Sequence, residues 1–217
     1  MRNKRCLQRT KRRDALATIT VIAALGIVLF VQPLLALSDA PLESLKSSIG
    51  KITTVLDDKA FRESHSREEL NKKLIEVAQD RFNWDEIAKR SLGLYWKERS
   101  PAEKEEFSHL IKDLLINTYL DKIVDNYSGE TILYDKEVVK GKRAFIDLRI
   151  INKAETSIDL GIRMLNDGKQ WLIYDLIIEG VSSIKNYRVQ FYDIIRGSSY
   201  EELIVKLKDK TEKKPSE

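Results

Sequence analysis

The chain has 217 residues, 42% of them hydrophobic and 33% charged, and a formal net charge of +4. Seven of the basic residues and one acidic residue, Asp14, fall within residues 1–38, so the remainder carries 31 basic against 33 acidic side chains, a net of −2. The basic balance therefore gives no support to a nucleic-acid-binding reading. Cys6, the one cysteine, lies in the same leader, which excludes disulfides, thiolate metal sites and a cysteine nucleophile from the rest of the chain.

Residues 1–38 read as an export signal. Arg2, Lys4, Arg5, Arg9, Lys11, Arg12 and Arg13 precede an uncharged run over 15–37. Ala36-Leu37-Ser38 then offers small residues where a signal peptidase reads, which places cleavage before Asp39. The run is longer than a usual signal core, so an uncleaved inner-membrane anchor is the alternative. Either way the body lies outside the cytoplasm. Roughly 180 residues remain, enough for one domain with its own core. Residues 39–210 are read as that domain and 211–217 as a disordered charged tail.

Pro41 opens a first helix with Leu42, Leu45, Ile49, Ile52, Val55 and Leu56 along one stripe. Ser66-Arg67-Glu68-Glu69 is a capping box for a second, whose apolar face is Leu70, Leu74, Ile75, Val77 and Ala78. A short helix over 84–92 ends at Gly93, which suits a left-handed C-cap. Ser100-Pro101-Ala102-Glu103 starts a long helix carrying Phe107, Leu110, Ile111, Leu114, Leu115, Thr118, Ile123 and Val124, and stopping near Ser128-Gly129.

From Thr131 the apolar period changes from 3.6 to 2. Residues 131–139, 144–152, 156–165 and 170–179 read as four strands joined by short links, including the hairpin signal Asn166-Asp167-Gly168. Short links imply an antiparallel meander. Ile158, Leu160, Ile162 and Met164 share one face of the third strand, and Ala144, Ile146, Leu148 and Ile150 match it on the second. Helices over 183–196 and about 199–208 close the chain. The layout is α+β, a curved four-stranded antiparallel sheet wrapped by helices around an apolar space. That inner face is either a solid core or the wall of a cavity.

One segment is more specific than any of these. From Trp171 to Phe191 the order is W-x-x-Y-D-x-x-x-E-G-V-S-x-x-x-N-Y-R-x-x-F, a strand broken at Gly180 and followed by a helix that Ser182 or Ser183 can cap. It resembles the MlaC family of periplasmic phospholipid-binding proteins, also called toluene-tolerance auxiliary proteins. Leu92-Gly93-Leu94-Tyr95-Trp96 ahead of Ser100-Pro101, and Leu115-Ile116-Asn117-Thr118-Tyr119 with Tyr127, are similar to two further segments of that family. The resemblance runs from about Phe82 to Lys208, while residues 39–81 match only in being helical.

The resemblance implies a nuclear-transport-factor-like fold that holds a glycerophospholipid by its acyl chains. It also implies a shuttle between an outer-membrane lipoprotein complex and an inner-membrane ABC transporter with an MCE-domain subunit, maintaining outer-membrane lipid asymmetry. Such a carrier needs no cofactor and no catalytic chemistry. The residues expected to touch the chains are Ile146, Leu148, Ile158, Leu160, Met164, Tyr174, Leu176, Val181, Tyr187 and Phe191, with Trp96 and Tyr119 at the edge; each is alternatively ordinary core. The hydroxyls of Tyr119, Tyr174 and Tyr187 can instead serve hydrogen bonds. Asp175, inside a nearly all-apolar strand, is expected to be paired, with Arg188 or Arg149 as candidates. Asn186 and Arg188 could reach a phosphate or a partner at the mouth, or brace the helix. Asp175 with Tyr174 or Tyr119 is also the one constellation able to imitate an isomerase or dehydratase site. His65 and His109 fall on charged helical faces, and the sequence has no metal-ligand cluster. A structural periplasmic module with a filled interior is the third class.

Overall fold

The computed structural model describes residues 40–212. The export signal over 1–38, the cleavage point before Asp39 and the tail beyond 212 lie outside the described residues.

Helix starts follow the local side-chain chemistry. α1 (Pro41–Asp57) has proline in its first turn, and α2 (Lys59–Ser64) starts where the Asp58 carboxylate accepts from the Phe61 amide at 2.9 Å. α2 is an element additional to those expected from the sequence. α3 (Arg67–Ala78) and α5 (Pro101–Asn126) begin in the two expected capping boxes. In each, backbone N–H donation from the cap serine holds the Glu69 or Glu103 carboxyl below its ordinary range. α4 (Trp84–Leu92) is capped by Asn83 and stops at Gly93. There φ is +61° and ψ −122°, which differs from the expected left-handed helical cap and turns the chain into a 3₁₀ segment, Gly93–Glu98. A Cβ at Gly93 would lie 2.8 Å from the Tyr192 hydroxyl, so both backbone conformation and space require glycine.

Five strands form one antiparallel sheet in sequential order. They are β1 (Thr131–Lys140), β2 (Arg143–Ile151), β3 (Ser157–Asn166), β4 (Trp171–Ile178) and β5 (Val181–Ser182). The fifth strand corrects the expected count of four. Glu179 and Gly180 both take positive φ, the two-residue turn that suits strand twist, and Val181–Ser182 folds back onto Ile177–Ile178. Ser182 then caps α6 (Ser183–Gly197), and α7 (Tyr200–Glu212) ends the described chain. Helix α7 thus includes residues 211 and 212, which the sequence reading assigned to the tail.

The β2–β3 register places Ala144, Ile146, Leu148 and Ile150 opposite Met164, Ile162, Leu160 and Ile158, so the two faces matched by alternation do meet. β3 and β4 pair with a bulge. Arg163 faces Asp175 and Met164 faces Ile173, which leaves Tyr174 without a partner on β3. The extra residue reverses the phase of β4. Ile173 and Leu176 both join the inner face with Met164 and Ile162, while Asp175 moves to the opposite face with Arg163.

Three apolar clusters result. Leu45 of α1 covers the inner sheet face, packing with Ile146, Leu148, Ile162, Met164 and Ile173. Helices α4 to α7 enclose a second cluster around Phe107, Ile111, Phe191 and Leu203, with Tyr174 at its sheet edge. Leu56, Leu70, Leu74 and Val124 join α1, α3 and α5 in a small third one.

Candidate functional site

The clusters do not close on one another. Between them lies an apolar hollow of about 170 Å³. Ile52 of α1 and Leu74, Ile75 and Ala78 of α3 form one side; Leu115, Ile116, Tyr119, Leu120 and Ile123 of α5 form the next. Ile173, Tyr174 and Leu176 of β4 form the floor, with Phe82, Trp84 and Ile184 at the ends. The lining follows from the sequence on both layers. Helix α5 fully buries Phe107 and Ile111 in its first half, while its second half has apolar residues over so wide an arc that Ile123 stays 48% exposed. The β4 bulge supplies four consecutive lining residues, Ile173, Tyr174, Asp175 and Leu176, where a regular strand would supply alternate ones.

The polar groups of the lining are largely engaged by protein. Trp84 Nε1 donates to the Gln79 carbonyl at 3.0 Å, and Gln79 Oε1 accepts from Lys112 Nζ at 3.2 Å. The hydroxyls of Tyr119 and Ser183 lie 3.2 Å apart. Asp175, 4% exposed, accepts from Arg163 at 2.9 Å, from the Ser182 hydroxyl at 2.7 Å and from the Ile184 amide at 3.2 Å. A carboxylate with three donors braces β3, β4 and the start of α6. Its partner is Arg163 rather than Arg188 or Arg149. Arg149 instead holds Asp135 bidentately, with both contacts at 2.8 Å. The bulge is the cause, because it carries Asp175 to the face on which Arg163 stands. Among the described residues, no group of three or more His, Cys, Asp and Glu side chains is placed to hold a metal. Such a site can exclude water and take apolar matter, and has little to offer a polar ligand within the hollow.

Asp175→Asn is expected to lower stability by roughly 1–3 kcal/mol, since it keeps the shape but removes the charge from three hydrogen bonds. The ion pair itself contributes little of this, as the Arg163 side chain is 44% exposed. Urea unfolding measures the change, and an unaltered midpoint would remove Asp175 from the structural role.

Of the residues expected from sequence to meet the chains, Tyr119, Tyr174 and Leu176 line the hollow. Ile146, Leu148 and Met164 are fully buried under α1, with Leu160 packed against them. Phe191 and Tyr187 belong to the helical cluster, where burial pushes the Tyr187 phenol up. Trp96 lies in the 3₁₀ segment with Lys104 Nζ 5.7 Å from its ring centre. Ile158 and Val181 are on the surface, 46% and 60% exposed. Sequence reasoning missed most of the helical wall. Its signal was the surplus apolar width of the stripes on α3 and α5.

The chain matches the family model of the MlaC protein over residues 46–209. It is 25% identical over 130 residues to the intermembrane phospholipid transport system binding protein MlaC of Haemophilus influenzae, a match spanning 58% of this chain and 60% of that relative. Its fold is similar to that of the phospholipid-binding protein from Ralstonia solanacearum solved in complex with a phospholipid. That likeness has a TM-score of 0.68 at 20% identity and covers 78% of this chain and 96% of the other.

Proposed function

Because the chain belongs to the MlaC family, we propose that it is a periplasmic phospholipid carrier whose acyl-chain site is the hollow between α1, α3, α5 and β4. The observation that carries this reading is the hollow itself, apolar on every side and with its polar groups turned to protein partners. The physical need is large. Moving one acyl chain of about 15 methylenes into water costs roughly 12 kcal/mol at ~0.8 kcal/mol each. A carrier avoids that cost by keeping the chain in apolar surroundings between two membranes.

The hollow must widen to do so. A void of ~150 Å³ takes one benzene, so about 170 Å³ accommodates a short run of methylenes and not a whole chain. The wall held by the smallest cluster, with four buried residues, is the one formed by α1 and α3 against α5. It is the wall that parts at least cost in buried contacts. Residues 1–38 direct export as a cleaved signal or a membrane anchor, and residues 39–210 form the lipid-binding domain. The donor and acceptor are an outer-membrane lipoprotein complex and an inner-membrane ABC transporter with an MCE-domain subunit, and the transfer maintains outer-membrane lipid asymmetry.

Native mass spectrometry of protein purified without detergent is expected to show one bound phospholipid per chain. Lipid-free protein is expected to extract tail-labelled phospholipid from vesicles. Protein that neither carries nor extracts phospholipid would overturn the carrier reading.

A further inference from the structure

The face that α3 turns toward α5 changes character along its length. Arg67, Leu70, Asn71, Leu74 and Ala78 recur there at helical spacing. Leu74 and Ala78, toward the far end, line the hollow. Leu70 and Leu74 pack with Leu56 and Val124 in the small third cluster. At the near end the contact is polar. Arg67 donates to the Asp125 carboxylate at 2.8 Å and to that of Asp121 at 3.1 Å, and Asn71 Nδ2 donates to the same Asp121 oxygen at 3.2 Å. The Tyr127 hydroxyl, just past α5, donates to the Asp57 carboxylate at the end of α1 at 2.8 Å. Burial, with the Asp57 carboxylate beside it, pushes that phenol up to about 12, so it stays a donor at neutral pH. Among the described residues, the two Arg67 pairs are the only ion pairs that tie α1, α2 or α3 to the rest of the domain.

The other end of α3 is held by backbone. Residues 79–81 form a single 3₁₀ turn, Phe82 bridges to Ile173 of β4, and the Asn83 amide donates to the Ile173 carbonyl at 2.8 Å. The Arg67 side chain is 43% exposed and that of Asp125 62%, so water and salt reach the near end. An end anchored to the sheet, an apolar span beside empty space and a polar clasp open to solvent are the parts of a hinged wall.

We propose that the Arg67–Asp121–Asp125 clasp, together with the Tyr127–Asp57 bond, is an autoinhibitory latch that favours the narrow, empty hollow over the widened, loaded one. The inference rests on the carrier reading above and adds to it a control on loading. The clasp forms when α3 lies against α5, the arrangement in which the hollow is too small for a whole acyl chain. It therefore stabilises the narrow state alone and lowers the apparent affinity for lipid by that factor. Solvent-reached pairs suit the task, because parting them leaves no charge buried. Their re-forming also favours release, which a carrier needs as much as uptake.

The test uses the full chain and sub-saturating tail-labelled phosphatidylcholine in neutral vesicles, so that salt does not act through vesicle charge. The quantity measured is the lipid loaded at equilibrium. Arg67→Met removes the charge and keeps an unbranched side chain, and is expected to load about 5-fold more lipid than wild type at low salt. Raising salt from ~0.01 M to ~1 M shortens the Debye length from ~30 Å to ~3 Å. Wild-type loading should then approach that of Arg67→Met, whose own change corrects for the effect of salt on the lipid. Arg67→Lys retains the charge and is expected to load like wild type at low salt. Asp121→Asn/Asp125→Asn removes the same pairs from α5 and should match Arg67→Met, which keeps the test decisive if Arg67→Met fails to fold. Folded variants without the pairs that load no more than wild type overturn the latch. Arg67→Lys behaving as Arg67→Met does the same, since charge would then not be what holds the wall. Wild-type protein that loads lipid with no salt response beyond that of Arg67→Met overturns the latch alone. If wild type loads no lipid at either salt concentration, the carrier reading has failed and the latch falls with it.

Discussion

Ile146→Asp is expected to unfold the domain. Ile146 is 0% exposed and packs with Leu45, Leu148, Ile162 and Met164 under α1, where the hollow does not reach. A carboxylate placed there has no water and no donor, and the lost packing adds to the cost. The expected destabilisation is at least about 4 kcal/mol, against a total stability of ~5–15 kcal/mol for a domain. Circular dichroism should show a lost or severely lowered cooperative melt. A variant that melts like wild type but has lost its lipid would place Ile146 on the binding space and move that space to the inner sheet face.

Ala78→Trp is expected to have the opposite profile. Ala78 ends α3 and is the smallest apolar side chain lining the hollow. An indole there occupies space that is empty, so the overpacking cost, ~1–3 kcal/mol in a filled core, is largely avoided. Phospholipid extraction should fall by about 10-fold or more, because displaced apolar volume is lost to the chain at ~0.8 kcal/mol per methylene. The thermal midpoint should stay within a few degrees of wild type. Unchanged extraction by a folded Ala78→Trp protein would show that the chains lie elsewhere. Taken with Ile146→Asp, the comparison separates a binding wall from a solid core on the same protein.

Local chemistry made most of the elements legible. Ser66 with Glu69 and Ser100 with Glu103 announce helix starts because the reciprocal hydrogen bonds need only residues three apart, and both boxes form as read. Alternation was enough to put Ala144, Ile146, Leu148 and Ile150 on the same face as Ile158, Leu160, Ile162 and Met164, since a one-residue slip would turn the whole apolar set outward; which residue meets which came from the pairing itself. The run from Trp171 to Phe191 marked the family, which the match over residues 46–209 shows.

What alternation could not convey was where the ladder slips. Read as a regular strand, β4 puts Asp175 on the face of Trp171 and Ile173, which leaves Arg163 out of reach. The bulge at Tyr174 reverses that phase, and it arises from the pairing of β4 with β3, not from any residue of β4 taken alone. The same limit applies to the hollow. Leu74, Ile75, Leu115 and Ile123 were visible as apolar stripes, and a stripe that packs solidly has the same spacing as one that borders empty space. Which of them meet a neighbour is set by the separation of α1, α3 and α5 over the sheet, a distance that local periodicity does not contain. The sequence by itself therefore determined most of the elements, their order and the buried faces of the regular ones; the tertiary structure decided the short elements α2 and β5, the phase of β4 and which buried faces fail to touch, because a bulge belongs to a pairing and a void to the gaps between elements.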